Sequence, residues 1–293
     1  MNRFASTIVI MRSVLFILVG VLSAVACSGR AMAADNESDP SANVVIERDV
    51  AYLPPDREEK LDLYLPGSRE SGTRSPGIVI IHGGGWVGGS KSAGRELEIG
   101  TTLAAAGYVC ASVEYQKKAE DRWPTNIHDC KNAVRFLRKN ADKYGIDVDH
   151  IGVIGGSAGG HLSLMVGLTD KVPELEPDSP YPGISDRVQA AVDMYGIADI
   201  RTGVKTDSKG NPTDEPRSWD QIFGDHRPIT DEDRAMASPV SHISKDSPPI
   251  LILHGTKDTT VDRRQSIELD KKLEAAGVTH RLILIEGIGH TFD

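Results

Sequence analysis

The chain has 293 residues, 39% of them hydrophobic, which suits one large domain with a full core. A formal net charge of −9 makes nucleic acid and anionic membrane surfaces poor partners and suits neutral or weakly charged substrates. No His-Glu-x-x-His, Cys-x-x-Cys or other metal-ligand spacing occurs, so no metal site is expected.

The first stretch reads as a leader rather than as part of the fold. Arg3 and Arg12 precede the apolar run Val14–Leu22, and small residues follow up to Ala31-Met32-Ala33. Charge, apolar run and A-x-A ending form an export signal, residues 1–33, with cleavage after Ala33 and a secreted or periplasmic product. The apolar run is short for a bilayer span, so no stable membrane insertion is expected after its removal. Ala24-Val25-Ala26-Cys27 is a poor match to a lipid-attachment site, which leaves a lipoprotein anchored at Cys27 as the lesser alternative. Removal takes away Arg3, Arg12 and Arg30 but no acidic residue, so the mature chain is more acidic still. Residues 34–42 are polar and expected to be disordered, and 43–293 form the folded domain.

Asn43–Tyr52 and Lys60–Leu65 alternate apolar and polar residues, as antiparallel strands at a sheet edge do. From Pro76 the pattern changes. Gly77–Ile81 is a continuous apolar run, as a strand buried on both faces requires. A helix over about 92–106, a strand over 108–115, a helix over 124–144, a strand over 151–154, a helix over 158–167 and a strand over 188–195 follow. After a long interruption come a strand over 250–254, a helix over 262–276 and a strand over 280–286. Strands alternating with helices predict an α/β fold, a mostly parallel sheet with helices on both faces and reactive groups beyond the C-terminal strand ends. The interruption, residues 197–247, is too long for a plain connection. It reads as a small cap over the site, since Trp219, Ile222 and Phe223 give it an apolar face, or else as a solvated surface excursion. Cys110 lies in a strand and Cys130 in the next helix; export permits a disulfide, and both positions also suit buried thiols.

Gly155-Gly156-Ser157-Ala158-Gly159 stands between the strand 151–154 and a helix. A G-x-S-x-G at that junction forces its serine into a strained turn, beside a helix N-terminus whose free N–H groups favour a developing anion. Glycine-rich turns also bind phosphates, so this motif alone leaves both readings open. The other strand ends supply what acyl transfer by serine needs: a base, an orienting acid and donors for the tetrahedral oxyanion. His82-Gly83-Gly84-Gly85-Trp86 follows the strand ending at Ile81. The amides of Gly83 and Gly84, with that of Ala158, are the candidate oxyanion-hole donors. Asp258 follows the strand 250–254 and is the candidate acid; Asp262, its competitor, reads as a helix-start residue. His290 follows the last strand and is the candidate base, while His82 and His254 read as residues that shape their own loops.

These segments together resemble the HGGG-type esterase branch of the α/β-hydrolases. Gly155-Gly156-Ser157-Ala158-Gly159-Gly160-His161-Leu162 and the trailing Trp86 are most similar to bacterial feruloyl- and acetyl-esterase-like proteins, a carbohydrate esterase group. Hormone-sensitive-lipase-like esterases, which more often carry Asp where Gly156 stands, are further off. The resemblance runs from about residue 55 to the end. It implies ester hydrolysis through a Ser157–Asp258–His290 triad and an acyl-enzyme, without metal or cofactor. It also implies small-molecule or polysaccharide esters as substrates, and Trp86 as a substrate-contacting residue. A lipase, a prolyl-oligopeptidase-like peptidase and a non-catalytic binding module are the alternatives. Members of this group usually carry a helix after the catalytic histidine. Here Asp293 stands three residues beyond His290, so the chain is expected to be a fragment or to leave part of one sheet face uncovered.

Overall fold

The computed structural model describes residues 44–68, 72–170, 172–225 and 228–292. The expected leader, the Cys27 site and the stretch 34–42 lie outside the described residues.

Among the described residues, ten strands form two sheets. The main one has the order β1-β2-β4-β3-β5-β6-β9-β10, built from β1 (Val44–Ala51), β2 (Lys60–Pro66), β3 (Ser75–Ile81), β4 (Val109–Val113), β5 (Ile146–Gly156), β6 (Ala190–Met194), β9 (Ile250–Gly255) and β10 (His280–Ile285). β2 pairs antiparallel with both β1 and β4, and the remaining pairings, from β4–β3 to β9–β10, are parallel. The two halves match their sequence patterns: alternating residues at the antiparallel edge, continuous apolar runs in the parallel middle. β5 runs five residues further back than its apolar part suggests. Its start pairs Ser75 with Ile146, and a bulge then brings Gly77 opposite Ile151.

Helices cover both faces. α1 (Gly94–Ala105) packs Leu103 and Ala104 on a face formed by Ile78, Ile80, Ile154, Val192 and Leu251. α2 (Thr125–Lys139), α4 (Ala158–Leu168) and α6 (Arg264–Ala275) cover the other face, with Val134, Leu162 and Leu269 packing against Val79, Val153 and Ile252. The single helix expected over 124–144 divides at Asn140, whose side chain donates to Phe136 O, and resumes as α3 (Ala141–Tyr144). Gly145, in the left-handed region at φ 63°, ends it. On the α1 face an apolar groove of about 270 Å³ runs beside Leu103, lined by Ile78, Tyr108, Ile154 and Val192. Cys110 and Cys130 are free, buried and packed on opposite faces of the sheet, so they form no bridge.

The segment 197–247 contains a small hairpin, β7 (Val204–Thr206) with β8 (Pro212–Pro216), and a short helix, α5 (Asp231–Met236). Its root is held firmly. Gln265 of α6 accepts from the amides of Ala198 and Asp199, and Ser238 Oγ accepts from Ile200 N. Trp219 and Phe223 pack their rings on Trp86 and Trp123. Among the described residues no helix is long and apolar enough to cross a membrane.

Candidate active site

The parallel strands deliver four loops to one end of the sheet. β5 ends at Gly156, and Ser157 follows at φ 58°, ψ −121°. This is a strained conformation for a residue with a side chain. It is held by Ser157 N donating to Met194 O and by His161 N donating to Ser157 O. α4 starts at the next residue, so the amide of Ala158 belongs to the helix's first turn, where N–H groups lack intrahelical acceptors. The turn is tight because glycines let backbones touch. A Cβ on Gly159 would lie 2.1 Å from Ile81 O, and one on Gly155 would lie 2.4 Å from Gly159 O.

The loop after β3 comes to the same place. A Cβ on Gly83 would lie 3.3 Å from Ser157 Cβ and 2.9 Å from Gly156 O, so the two loops are in contact. Gly84 is exposed, takes φ 112°, and accepts from the amides of Val87 and Gly88, which closes the loop on itself. His82 below it stacks on Tyr115 and hydrogen-bonds Gly83 O and Glu114. Of the expected donors, Gly83 touches the Ser157 turn, Ala158 follows Ser157 directly, and Gly84 is the next residue along the same loop.

His290 and Asp258 complete the cluster. His290 Nε2 lies 3.0 Å from Ser157 Oγ, and His290 Nδ1 lies 2.7 Å from Asp258 Oδ2. With Nδ1–H donating to the carboxylate, Nε2 is the acceptor of the serine proton. Asp258 is buried and accepts further from Thr260 N at 2.7 Å and Val261 N at 2.9 Å, both on Oδ1. Burial alone would raise its pKa, but hydrogen bonds from His254 and His290 outweigh it and hold the carboxyl well below the usual carboxylate range. Asp262, the competing acid, spends both oxygens on Arg264 at the start of α6. The acid and base loops are stitched together: Lys257 N donates to Ile288 O, Thr256 N to Ile285 O, and Gly287 N to Thr256 Oγ1. Gly255 allows this crossing, since a Cβ there would lie 2.4 Å from both Ile288 O and Gly289 O.

Trp86 is placed differently from its expected role. It is fully buried, its Nε1 donates to His161 Nδ1 at 3.3 Å, and its ring meets Trp219 edge-on. The indole lies beneath the loop and braces it rather than facing a substrate. His161 passes the brace on, donating from Nε2 to Ala237 O of the insertion. Burial pushes its pKa down to about 4. A neutral ring with one accepting and one donating nitrogen is what these two bonds require.

Two residues beside the cluster carry no motif signal. Arg95 Nη1 donates to Tyr195 Oη at 2.7 Å, and its Nε and Nη2 bond to the buried Glu96. Both heads lie against Gly156, where a Cβ would stand 2.6 Å from Arg95 Nη1 and 2.8 Å from Tyr195 Oη. The Tyr195 ring packs on the His290 ring, centroids 4.8 Å apart. Only the fold reveals this, since the Arg95–Tyr195 contact joins positions 100 residues apart.

Comparison with known proteins agrees with this architecture. LipM of Mycobacterium tuberculosis, described as a probable carboxylic ester hydrolase, is 32% identical over 74% of this chain and 49% of its own. The esterase LipC of the same organism is 33% identical over 75% of this chain and 53% of its own, so the chain spans about half the length of such curated relatives. Among solved structures, a truncated carbohydrate esterase from gut microbiota matches with a TM-score of 0.73 and 30% identity, over 84% of this chain and 89% of the other. Thermogutta terrifontis esterase 2, phosphonylated by sarin, matches with a TM-score of 0.68 and 27% identity, over 84% and 85%. The BD-FAE family model matches residues 61–273, which takes in the Gly83–Gly85 loop, Ser157 and Asp258. With its mostly parallel sheet and helices on both faces, the chain has the α/β-hydrolase fold and belongs to the BD-FAE family.

Proposed function

We propose that this protein is an exported serine carboxylester hydrolase that works through Ser157, His290 and Asp258. The observation that carries the reading is the unbroken chain from Ser157 Oγ to His290 Nε2 at 3.0 Å and from His290 Nδ1 to Asp258 Oδ2 at 2.7 Å. In this mechanism His290 takes the serine proton as Oγ attacks the ester carbonyl carbon. Asp258 holds the tautomer and stabilises the imidazolium. The amides of Gly83, Gly84 and Ala158 receive the oxyanion, each donor contributing on the order of 3 kcal/mol. The alcohol leaves with the proton from His290, and water, activated by the same ring, releases the acid. Each step uses side chains and amides of this chain alone.

Short acyl groups, acetyl or feruloyl, on polysaccharide hydroxyls are the proposed substrates. Support comes from the matched carbohydrate esterase and from the acidic, export-tagged sequence. Ser157→Ala tests the assignment: turnover of p-nitrophenyl acetate drops by at least about 10³-fold with an unchanged melting curve. Wild-type turnover by that variant would refute it. A panel of acetylated xylan, methyl ferulate and p-nitrophenyl esters of rising chain length tests the substrate, with the first two expected to exceed the long-chain esters in kcat/KM.

A further inference from the structure

The carboxylate of Asp258 faces two imidazoles. His290 lies 2.7 Å from Oδ2, and His254 Nε2 lies 3.2 Å from the same oxygen. His254 is fully buried at the end of β9, four residues before the acid. Its protonation pattern follows from its partners. Nε2 is also 3.0 Å from Val261 O, a pure acceptor, so Nε2 carries the hydrogen and shares it between that carbonyl and the carboxylate. Nδ1 lies 2.7 Å from Ser266 Oγ on α6, so it accepts from the hydroxyl. With both nitrogens engaged, the ring is a donor to Asp258 of fixed orientation, with no freedom to turn. Four N–H groups converge on one carboxylate: two amides on Oδ1 and two imidazoles on Oδ2.

We propose that His254 is a positioning residue for the reaction, which fixes the rotamer and the negative charge of Asp258 and through it the tautomer of His290. The inference rests on the triad reading above. A carboxylate held by the two amides alone can still rock about its own axis, moving Oδ2 relative to His290. A second donor on Oδ2, rooted on α6 through Ser266, removes that freedom. His254 also contributes strongly, among the hydrogen bonds, to keeping Asp258 ionised. Other charged groups acting on this region are Asp193 of β6, whose field interacts with His254, and Arg217 of the insertion, whose field interacts with Asp258. Neither makes a hydrogen bond to the acid, so His254 acts on it directly and they act at a distance.

The test compares His254→Leu, which removes all three contacts, with His254→Gln, whose amide can donate to Asp258 and accept from Ser266. Active sites are titrated with a fluorophosphonate so that kcat is expressed per competent molecule. His254→Leu should lower kcat for p-nitrophenyl acetate about tenfold to a hundredfold, the effect of one hydrogen bond to a charged group. KM should stay within about twofold, and the acid limb of the kcat/KM profile should move to lower pH, because a loosened carboxylate supports the His290 imidazolium less well. His254→Gln should recover most of both. A purely structural role would lower the titratable fraction and the melting temperature in both variants and leave the per-site kcat and the pH limb at wild-type values; that result overturns the proposal. If His254→Leu does not fold, Ser266→Ala carries the test. It frees the other tautomer and should lower kcat several-fold with the same shift of the acid limb, and an unchanged profile overturns the proposal. If Ser157→Ala itself turns over substrate, the triad reading fails first; if it is inactive and the His254 variants match wild type, only the present inference fails.

Discussion

Gly156 and Gly159 stand three positions apart around the same serine, and replacing each by alanine should have consequences of different kinds. At Gly156 the new Cβ meets only side-chain ends, Arg95 Nη1 at 2.6 Å and Tyr195 Oη at 2.8 Å. To reach ordinary contact near 3.5 Å the guanidinium must retreat by about 0.9 Å. That breaks its 2.7 Å bond to the phenol. Arg95 is partly exposed, so the lost bond costs about 1 kcal/mol, which in a domain of this size lowers the melting temperature by about 2–4 °C. The chemistry suffers more, because the Tyr195 ring that leaves its place is the one packed on His290; kcat/KM should fall about tenfold, or about 1.4 kcal/mol. At Gly159 the new Cβ meets main chain, Ile81 O at 2.1 Å and His82 O at 2.7 Å. Neither can move without prising α4 off β3. The cost should exceed about 4 kcal/mol and reach folding itself, with soluble yield and helical circular dichroism both reduced. Thermal melts followed by circular dichroism, paired with p-nitrophenyl acetate kinetics, separate the two. The reasoning fails if Gly159→Ala melts within 2 °C of wild type (a shift of about half a kcal/mol), or if Gly156→Ala loses more stability than Gly159→Ala.

Two further substitutions probe the charges. Asp258→Asn should keep the fold and lower kcat by about 10³–10⁴-fold, because an amide can present its NH₂ to His290 and favour the wrong tautomer; steady-state kinetics retaining a tenth of wild-type kcat would exclude Asp258 as the acid. Asp193 is fully buried, its Oδ1 accepts from Gly196 N, and burial pushes its pKa up to about 7. In the unfolded chain the carboxyl ionises near 3.9, so its contribution to stability is complete below that pH and is lost as pH rises to about 7. Asp193→Asn keeps the acceptor without the charge. Its melting temperature relative to wild type should rise steadily from pH 4 to 7 and level off beyond, and a flat difference across that range contradicts the raised pKa.

Much of the fold is legible because burial writes itself into apolar runs. β3, β4, β6, β9 and β10 lie within about two residues of where mainly apolar stretches place them. Their order on the chain also places Ser157, Asp258 and His290 just beyond the ends of β5, β9 and β10. What the sequence hides is structure made by turns and by polar residues. β7 and β8 include Lys205, Asp214 and Glu215 and both flanking prolines, the opposite of strand preference. They form because Asp207 accepts from the amides of Lys209 and Asn211 and Gly210 takes φ 77°, closing a tight turn. The early part of β5 is masked in the same way by Asp147, Asp149 and His150. Trp86 shows a different limit. The glycines before it announce a loop, but its burial depends on a φ of 62° and on an acceptor, His161, 75 residues away. Neither can be read from the motif. The pairing of Arg95 with Tyr195 is hidden for the same reason.

The strand order distributes the site unevenly. Ser157 and the Gly83–Gly84 loop rise from β5 and β3, each flanked on both sides by other strands. Asp258 and His290 rise from β9 and β10, and among the described residues β10 is an edge strand with one neighbour and side chains that are half-buried or exposed. The centre and the edge of a sheet open with different free energies. On the proposed mechanism the nucleophile then belongs to the part of the molecule that opens last, and the proton acceptor to a part that opens early. Loss of turnover on warming or in denaturant then measures the fraying of one border strand, while the serine still sits on an intact core.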